Sequence, residues 1–543
     1  MRFLPVNTNA LLVELDSLEQ TLALFDALQT RPIPGVTELV PAARTVLIVF
    51  HPEIVSARTL RADVATRDIT TTVARNGKLI EIPVHYNGED LQDVARMLGL
   101  SPEEIVRLHT GRIYTVAFTG FAPGFAYLSG GDPRLDVPRR QTPRTRIPAG
   151  AVALAGTFSG IYPQASPGGW QILGMTDTPM WDISRETPAL LQPGYRVRFV
   201  DAGPASVRTP LPSSVLPRPV AQPASLPALE IVAPGLQSLF QDLGRAGQAR
   251  QGVAMSGAVD RAALRAANRL VGNLAGDACI ETVYGGLQVR AHGACVVAVT
   301  GAKGELTLRT TNAASWTVPS HQAIALNDGD TLTLGQPCAG IRYYLAVRGG
   351  FDVAPVLGSR ATDTLARIGP APLSAGDLIA IPAPRQGAIV GMPEAPVPDL
   401  PRSDTEVILD IVLGPRTDWC DKRAVSLLHE QAWTVTPESN RVGIRLNGAH
   451  VLQRSNHAEL ASEGTRRGSI QVPPSGQPVV FLTDHPLTGG YPVIGSVAPW
   501  HLDLLGQIPI GARVRFNPIS EFVPIEMPVM QISSQLPEPV SLS

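Results

Sequence analysis

One stretch, residues 111–182, limits what this chain can become: GRIYTVAFTGFAPGFAYLSGGDPRLDVPRRQTPRTRIPAGAVALAGTFSGIYPQASPGGWQILGMTDTPMWD. It is dense in Gly, Pro and aromatic residues. Pro locks φ and removes an amide donor, while Gly takes up left-handed angles that other residues avoid. A tract punctuated in this way predicts short strands joined by tight turns, and it has the makings of a shaped cleft wall. Arg139, Arg140, Arg144 and Arg146 fall within it. Their guanidinium forks suit a carboxylate or phosphate; the simpler alternative is a solvated loop.

The same grammar runs through the rest of the chain, which has 50 Gly and 50 Pro among 543 residues. That leaves little room for long helices and predicts a mainly β protein. The formal net charge of −2 lacks the basic excess of a nucleic-acid binder. Cys279, Cys295, Cys338 and Cys420 are scattered without CxxC spacing, which argues against a zinc site and predicts buried thiols in a reducing compartment. The start has no basic segment followed by an apolar one, and no apolar run reaches membrane-spanning length, so the expectation is a cytoplasmic protein with no membrane partner.

Five segments are predicted. Residues 1–86 alternate strand and helix signals, as in a small α+β domain of split βαβ type, with Ser17 and Ser56 as helix N-caps. Residues 87–205 hold two short helices and then the Gly-rich tract. The second of these helices opens Ser-Pro-Glu-Glu at 101–104, a cap followed by Pro at the first helical position. Residues 206–227 are a Pro-, Ser- and Ala-rich linker, as if two separate proteins had been joined. Residues 228–400 form a β lobe with one helix, capped by Asp260 and ended by Gly272. Residues 401–543 form a last β domain with a helix near 421–431.

Two distant stretches match. SPGGWQILG at 166–174 parallels LTGGYPVIG at 487–495, and Asp182 falls on Asp503. Upstream, Ile147-Pro148 parallels Val472-Pro473; downstream, Gly-x-Arg-Val-Arg-Phe ends both at Phe199 and at Phe516. Order and rough spacing hold over about fifty residues. This predicts one β domain present twice.

The chemistry is not signalled by a short motif. There is no GxxxxGK[ST] loop, no GxGxxG fingerprint, no GxSxG elbow and no HExxH helix. The best polar cluster lies in the last domain: Ser439-Asn440-Arg441, Ser462-Glu463-Gly464-Thr465, Asp484, and the Thr488-Gly489-Gly490-Tyr491 turn. Asn and Arg can polarise a carbonyl or hold a carboxylate, while Glu or Asp accepts from an amide N–H. Such a set suits a small amide-like substrate, although each residue singly is as well explained as a turn residue.

The motif GRxYxVAFTGFAPGFAYLxGxDPRLxxPRR, followed by PAGxVALAGxxSGIYPxxSPGGW, resembles the first-subunit family of bacterial allophanate-hydrolase-like proteins. That family includes the 5-oxoprolinase B subunit and a sporulation-kinase inhibitor. After the linker, QDLGRAGQARQGVAMSGAVD, VRGGFDVAPVLGSRATDT, GPRTDWC, SNRVGIRL and SEGTRRGSIQVPPSGQPVVFLTDHPLTGGYP resemble the partner second-subunit family. The chain thus resembles a fusion of the two, a pair that also forms the carboxyltransferase region of urea amidolyase.

The resemblance implies duplicated cyclophilin-like β-barrels. It also implies catalytic roles for Glu463, Asp484, Asn440 and Arg441. Substrate contacts would come from Phe121, Gly124, Tyr127, Arg140, Ser166, Gly169 and Trp170 in the first half, and from Gly489, Gly490 and Tyr491 in the second. Met175 stands where the family usually carries Arg, which weakens the case for an anionic substrate. Three functions follow as expectations. The first is ATP-dependent opening of 5-oxoproline to glutamate together with a separate A subunit. The second is carboxyl transfer from carboxybiotin, borne on a separate carrier or carboxylase chain, to urea or a similar amide. The third is kinase regulation without catalysis. No biotin-acceptor Met-Lys-Met is present, so either enzyme would need partner chains; homo-oligomerisation is left open.

Overall fold

The computed structural model describes residues 1–70, 77–140, 142–204, 216 and 227–527. The expected linker lies outside the described residues apart from Leu216 and Pro227, as does the end of the last domain beyond residue 527.

The N-terminal unit is a small sheet. Its order is Val36–Pro41, Thr45–Phe50, Ala10–Glu14, Arg2–Asn7 and Ile525–Glu526. Ala10–Glu14 and Val36–Pro41 both pair antiparallel to Thr45–Phe50, so they run parallel with that strand between them, and the helix Leu18–Thr30 connects them. Ser17 starts this helix because its hydroxyl accepts from the amide of Gln20, one of the donors a helix leaves unsatisfied. The buried face, Thr21, Ala23, Leu24, Phe25 and Leu28, packs on the sheet. The fifth strand comes from the far end of the chain: Arg2 faces Glu526 and Phe3 faces Ile525.

The duplication read from the sequence appears as two barrels with one topology. The second runs Glu406–Leu413, Val493–Val497, Ser469–Gln471, Val479–Phe481, Gly443–Asn447, Trp433–Val435 and Arg513–Ser520, and it is closed. The first follows the same path through Leu79–Val84, Gln171–Met175, Ala151–Ala155, Phe158–Ile161, Ala126–Ser129, Ile113–Thr119 and Arg196–Asp201. Its ring is completed where His85 and Met175 exchange backbone hydrogen bonds of 2.8 and 2.9 Å. In each barrel the last strand lies parallel to the first and antiparallel to the strand after the helices. In each, a two-stranded ribbon stands off the barrel, Arg144–Ile147 with Ser166–Gly168 and Glu463–Gly464 with Thr488–Gly489. Met175 is buried in the cluster that contains Phe125, Tyr127 and Trp170, a setting that suits a methionine and would desolvate a guanidinium.

Between the barrels lies a nine-stranded lobe whose helix, Arg261–Val271, has Asp260 as N-cap and left-handed Gly272 as C-cap. The capping box Ser101–Glu104 and the Asp421 cap also form. The cysteines are not uniformly buried: Cys279 and Cys420 are, Cys295 is partly covered, and Cys338 is exposed on the long strand Thr331–Val347.

Candidate active site

The two barrels meet through their ribbons and turns. Thr488, at the start of the second ribbon's return strand, accepts a 2.9 Å hydrogen bond on Oγ1 from the amide of Phe121. Phe121 is held at φ 63°, a region that non-Gly residues seldom enter. Gly120 lies against Thr488 so closely that a Cβ there would collide with its side chain. Gly124, at φ 76°, donates its amide to the carbonyl of Gln251 at 2.9 Å, which fixes the same turn to the middle lobe.

Behind this junction the first barrel presents an aromatic wall. Tyr127 stacks on Phe118 with centroids 4.2 Å apart, and Trp170 stands edge-on to Tyr127 and Phe125 at 5.5 and 5.3 Å. Such edge-on arrangements suit the aromatic quadrupole. The wall bounds a cavity of about 600 Å³, together with Phe158, Arg139, Ala43 of the N-terminal sheet, and Glu459 and Ser462 of the second barrel. Three units of the chain therefore contribute to one space. The hydroxyls of Tyr127 and Ser462 lie 3.1 Å apart across it, and Arg139 Nη2 donates to Ser462 Oγ at 3.3 Å.

The four arginines of the run separate into different roles. Arg140 Nη1 and both terminal nitrogens of Arg144 bind the buried carboxylate of Asp90 at 2.7–2.8 Å. Asp90 also accepts from the amide of Ile172 at 2.7 Å. Burial works to raise the Asp90 pKa, but these donors hold it below the usual range. Arg140 is thus tied into the wall's support, and Arg146 lies exposed. Arg139 is the member that faces the cavity.

A second, polar chamber of about 370 Å³ continues the first through the shared residues Glu459, Ala461 and Ser462. Here Arg416 Nε lies 3.0 and 3.1 Å from the two oxygens of Glu463, and its Nη2 reaches both Glu463 and, at 2.7 Å, Glu14. Arg2 bridges Glu14 and Asp418 at 3.2 and 2.5 Å. Burial raises the Glu463 pKa against the pull of Arg416. A carboxylate in that balance can accept a proton at modest cost.

Asp484 and Arg441 lie elsewhere. Both are closed to solvent at the contact of the middle lobe with the second barrel. Asp484 accepts from Arg441, from Ser256 Oγ at 2.7 Å, and from Thr364 N and Oγ1 at 2.9 and 2.7 Å. Arg441 also binds Glu281 and, at 2.7 Å, the carbonyl of Gly257. The pair, expected as catalytic, lies outside the lining of both cavities and links the middle lobe to the second barrel. Asn440 is exposed in a turn, where its Oδ1 accepts from the amide of Val442 at 2.8 Å.

Of the other expected contacts, Gly169 receives the Arg140 amide on its carbonyl at 2.7 Å and Ser166 sits in the first ribbon opposite Ile147. Gly489 pairs with Glu463, and Gly490 lies directly under the Arg139 guanidinium. Tyr491 is half-buried and its carbonyl accepts from Gln471 Nε2 at 3.4 Å. Arg139 is one of the four arginines expected to suit an anion and Ser462 belongs to the expected polar cluster, whereas Arg416 and Glu14 are not among the expected residues; nothing local marks Glu14, 402 positions from Arg416.

Two barrels of one topology, bridged by a shared cavity, define a two-part carboxyltransferase-type protein. Residues 1–191 match the carboxyltransferase domain, subdomains C and D, and residues 251–518 match subdomains A and B. The chain belongs to this family, with both parts in one polypeptide. Its first half is 39% identical over 189 residues to the 5-oxoprolinase B subunit of Bacillus subtilis (strain 168), covering 32% of this chain and 78% of that protein. Its second half is 35% identical over 291 residues to the 5-oxoprolinase C subunit of Escherichia coli (strain K12), covering 53% of this chain and 90% of that protein. The crystal structure of TTHA0988 superposes with a TM-score of 0.79 at 36% identity, over 94% of this chain and 99% of that one. No helix among the described residues is long and apolar enough to cross a membrane.

Proposed function

We propose that this chain supplies the joined B and C parts of an ATP-dependent 5-oxoprolinase and acts with a separate A-type subunit. The observation that carries the reading is the cavity itself: residues from the B-like half (Tyr127, Arg139, Trp170) and from the C-like half (Glu459, Ser462) line one space. A lactam ring would lie against Trp170 and Phe158, with Ser462 and Tyr127 placed to hydrogen-bond its amide. Opening an unactivated lactam is difficult because the amide is resonance-stabilised. Transfer of the ATP γ-phosphoryl group to the lactam oxygen would make the ring carbon electrophilic. ADP leaves in that transfer; water then adds to the ring carbon and the ring C–N bond breaks to give γ-glutamyl phosphate, which a second water hydrolyses to glutamate and phosphate. Glu463, held by Arg416 at the polar end, is the candidate proton acceptor for the first water. The test is glutamate formation from 5-oxoproline and ATP with an A-type subunit, with and without this chain. Turnover that is indifferent to this chain would overturn the reading.

The family description supports a second reading, a biotin-dependent carboxyltransferase acting on urea or a similar amide, with carboxybiotin on a separate carrier. It expects biotin or a biotinylated carrier to raise the Tm, because a ligand of the native state stabilises it. An unchanged Tm at saturating biotin counts against it.

A further inference from the structure

Arg139 carries its own carboxylate site, and that site is already filled from within the chain. Its Nε lies 2.9 Å from Glu459 Oε1, and its backbone amide donates to Glu459 Oε2 at 3.4 Å. One residue thus faces both oxygens of one carboxyl group. The Arg139 side chain is 25% exposed and Glu459 46% exposed. Such a pair exchanges easily with solvent or with another anion, since a half-exposed ion pair contributes little. Arg140 and Arg144 are committed to buried Asp90, whereas the carboxylate facing Arg139 belongs to an exposed residue on a stretch without regular structure. The other end of the Arg139 side chain is tethered by the hydrogen bond from Nη2 to Ser462, and Nη1 lies where a Cβ on Gly490 would go. The cation thus keeps a second anchor, while Glu459 is the more exposed member of the pair.

We infer that Glu459 is an internal stand-in for a substrate carboxylate, and that Arg139 selects carboxylate-bearing amides once Glu459 is displaced. The inference rests on the proposed site and extends it. The cavity has an apolar wall of Trp170, Phe158 and Tyr127 on one side and this exchangeable cation on the other. A small ring with an anionic substituent matches that division, and a neutral amide such as urea does not use it. Arg139 would hold the substrate anion although Met175 stands where the resembling family usually carries Arg.

The test is calorimetric titration of the full chain with L-5-oxoproline, 2-pyrrolidinone (the same ring without the carboxylate) and acetate. Glu459→Gln removes the competing charge from an exposed position and is expected to bind L-5-oxoproline at least threefold more tightly than the unmodified chain. Arg139→Met is expected to bind it at least tenfold more weakly, with Arg139→Lys between, and 2-pyrrolidinone should not distinguish the variants. If Glu459→Gln gains affinity for acetate but not for L-5-oxoproline, the carboxylate site stands and the 5-oxoprolinase reading loses its substrate. If Glu459→Gln binds none of the carboxylates more tightly, the stand-in role is overturned, whatever the turnover assay gives.

Discussion

Arg441 grips Asp484 through two nitrogens, Nε to Oδ2 at 3.0 Å and Nη2 to Oδ1 at 3.1 Å, and joins the middle lobe to the second barrel through Glu281 and Gly257. Removing the Asp484 charge leaves buried Arg441 with Glu281 as its remaining counter-charge; breaking a buried pair typically costs about 3–5 kcal/mol, and the second partner sets this case at the lower end. Asp484→Asn should therefore lower stability by about 3 kcal/mol, read as a shift in the urea midpoint. A variant as stable as the unmodified chain would show that the contact is not what holds the lobe.

The same cluster sets a pH dependence. Asp363, beside it, is pushed up to about 7 from an ordinary 3.8, first by burial and then by the negative charge of Asp484. Between those values the folded protein holds a proton that the unfolded chain releases. Stability from this group therefore falls as pH rises through that window, by at most about 1.4 kcal/mol per unit. Asp363→Asn keeps an oxygen for the amides of Leu365 and Ala366, which Asp363 now binds at 3.0 and 2.8 Å. Its Tm should match the unmodified chain near pH 4 and exceed it at pH 8. Asp260, pushed up to about 6 by burial, titrates in both proteins and cancels in the difference.

The hydroxyl pair Tyr127–Ser462 reports on contact between the two halves. Tyr127→Phe and Ser462→Ala each remove one side of a 3.1 Å buried contact. A net hydrogen bond is worth about 0.5–1.5 kcal/mol, so a double-mutant cycle on thermal or urea unfolding should return a coupling of that order. Additive effects would mean that the halves do not meet there in solution.

Gly490 tests the position of Arg139 without touching either charge. A Cβ at this residue would collide with Arg139 Nη1, the far end of a flexible side chain. Gly490→Ala should therefore leave stability within about 1 kcal/mol and raise KM for the substrate severalfold. An unchanged KM would remove Arg139 from the binding account.

Much of the fold was legible because its signals are local. Ser17, Ser56, Ser101 and Asp260 cap helices where short-range hydrogen bonding says they should. The repeat was legible because a barrel needs its Gly-Gly turn and closing strand at fixed spacing, and these survive in both copies. The site was less legible because its ingredients converge from afar. Arg139 and Arg140 look alike in the sequence; Asp90, fifty positions away from Arg140, decides which of them turns away from the cavity. Asp484 and Arg441 lie near turns, as functional residues often do, yet their partners Ser256, Glu281 and Thr364 come from another lobe and bury them.

The central claim, that both halves build one substrate cavity, is tested most directly by a crystal structure of the chain soaked with L-5-oxoproline. The account predicts the ring against Trp170 and Phe158, its carboxylate on Arg139, and Glu459 displaced toward solvent. Ligand confined to the interior of a single barrel, or bound with the Arg139–Glu459 pair intact, would contradict it.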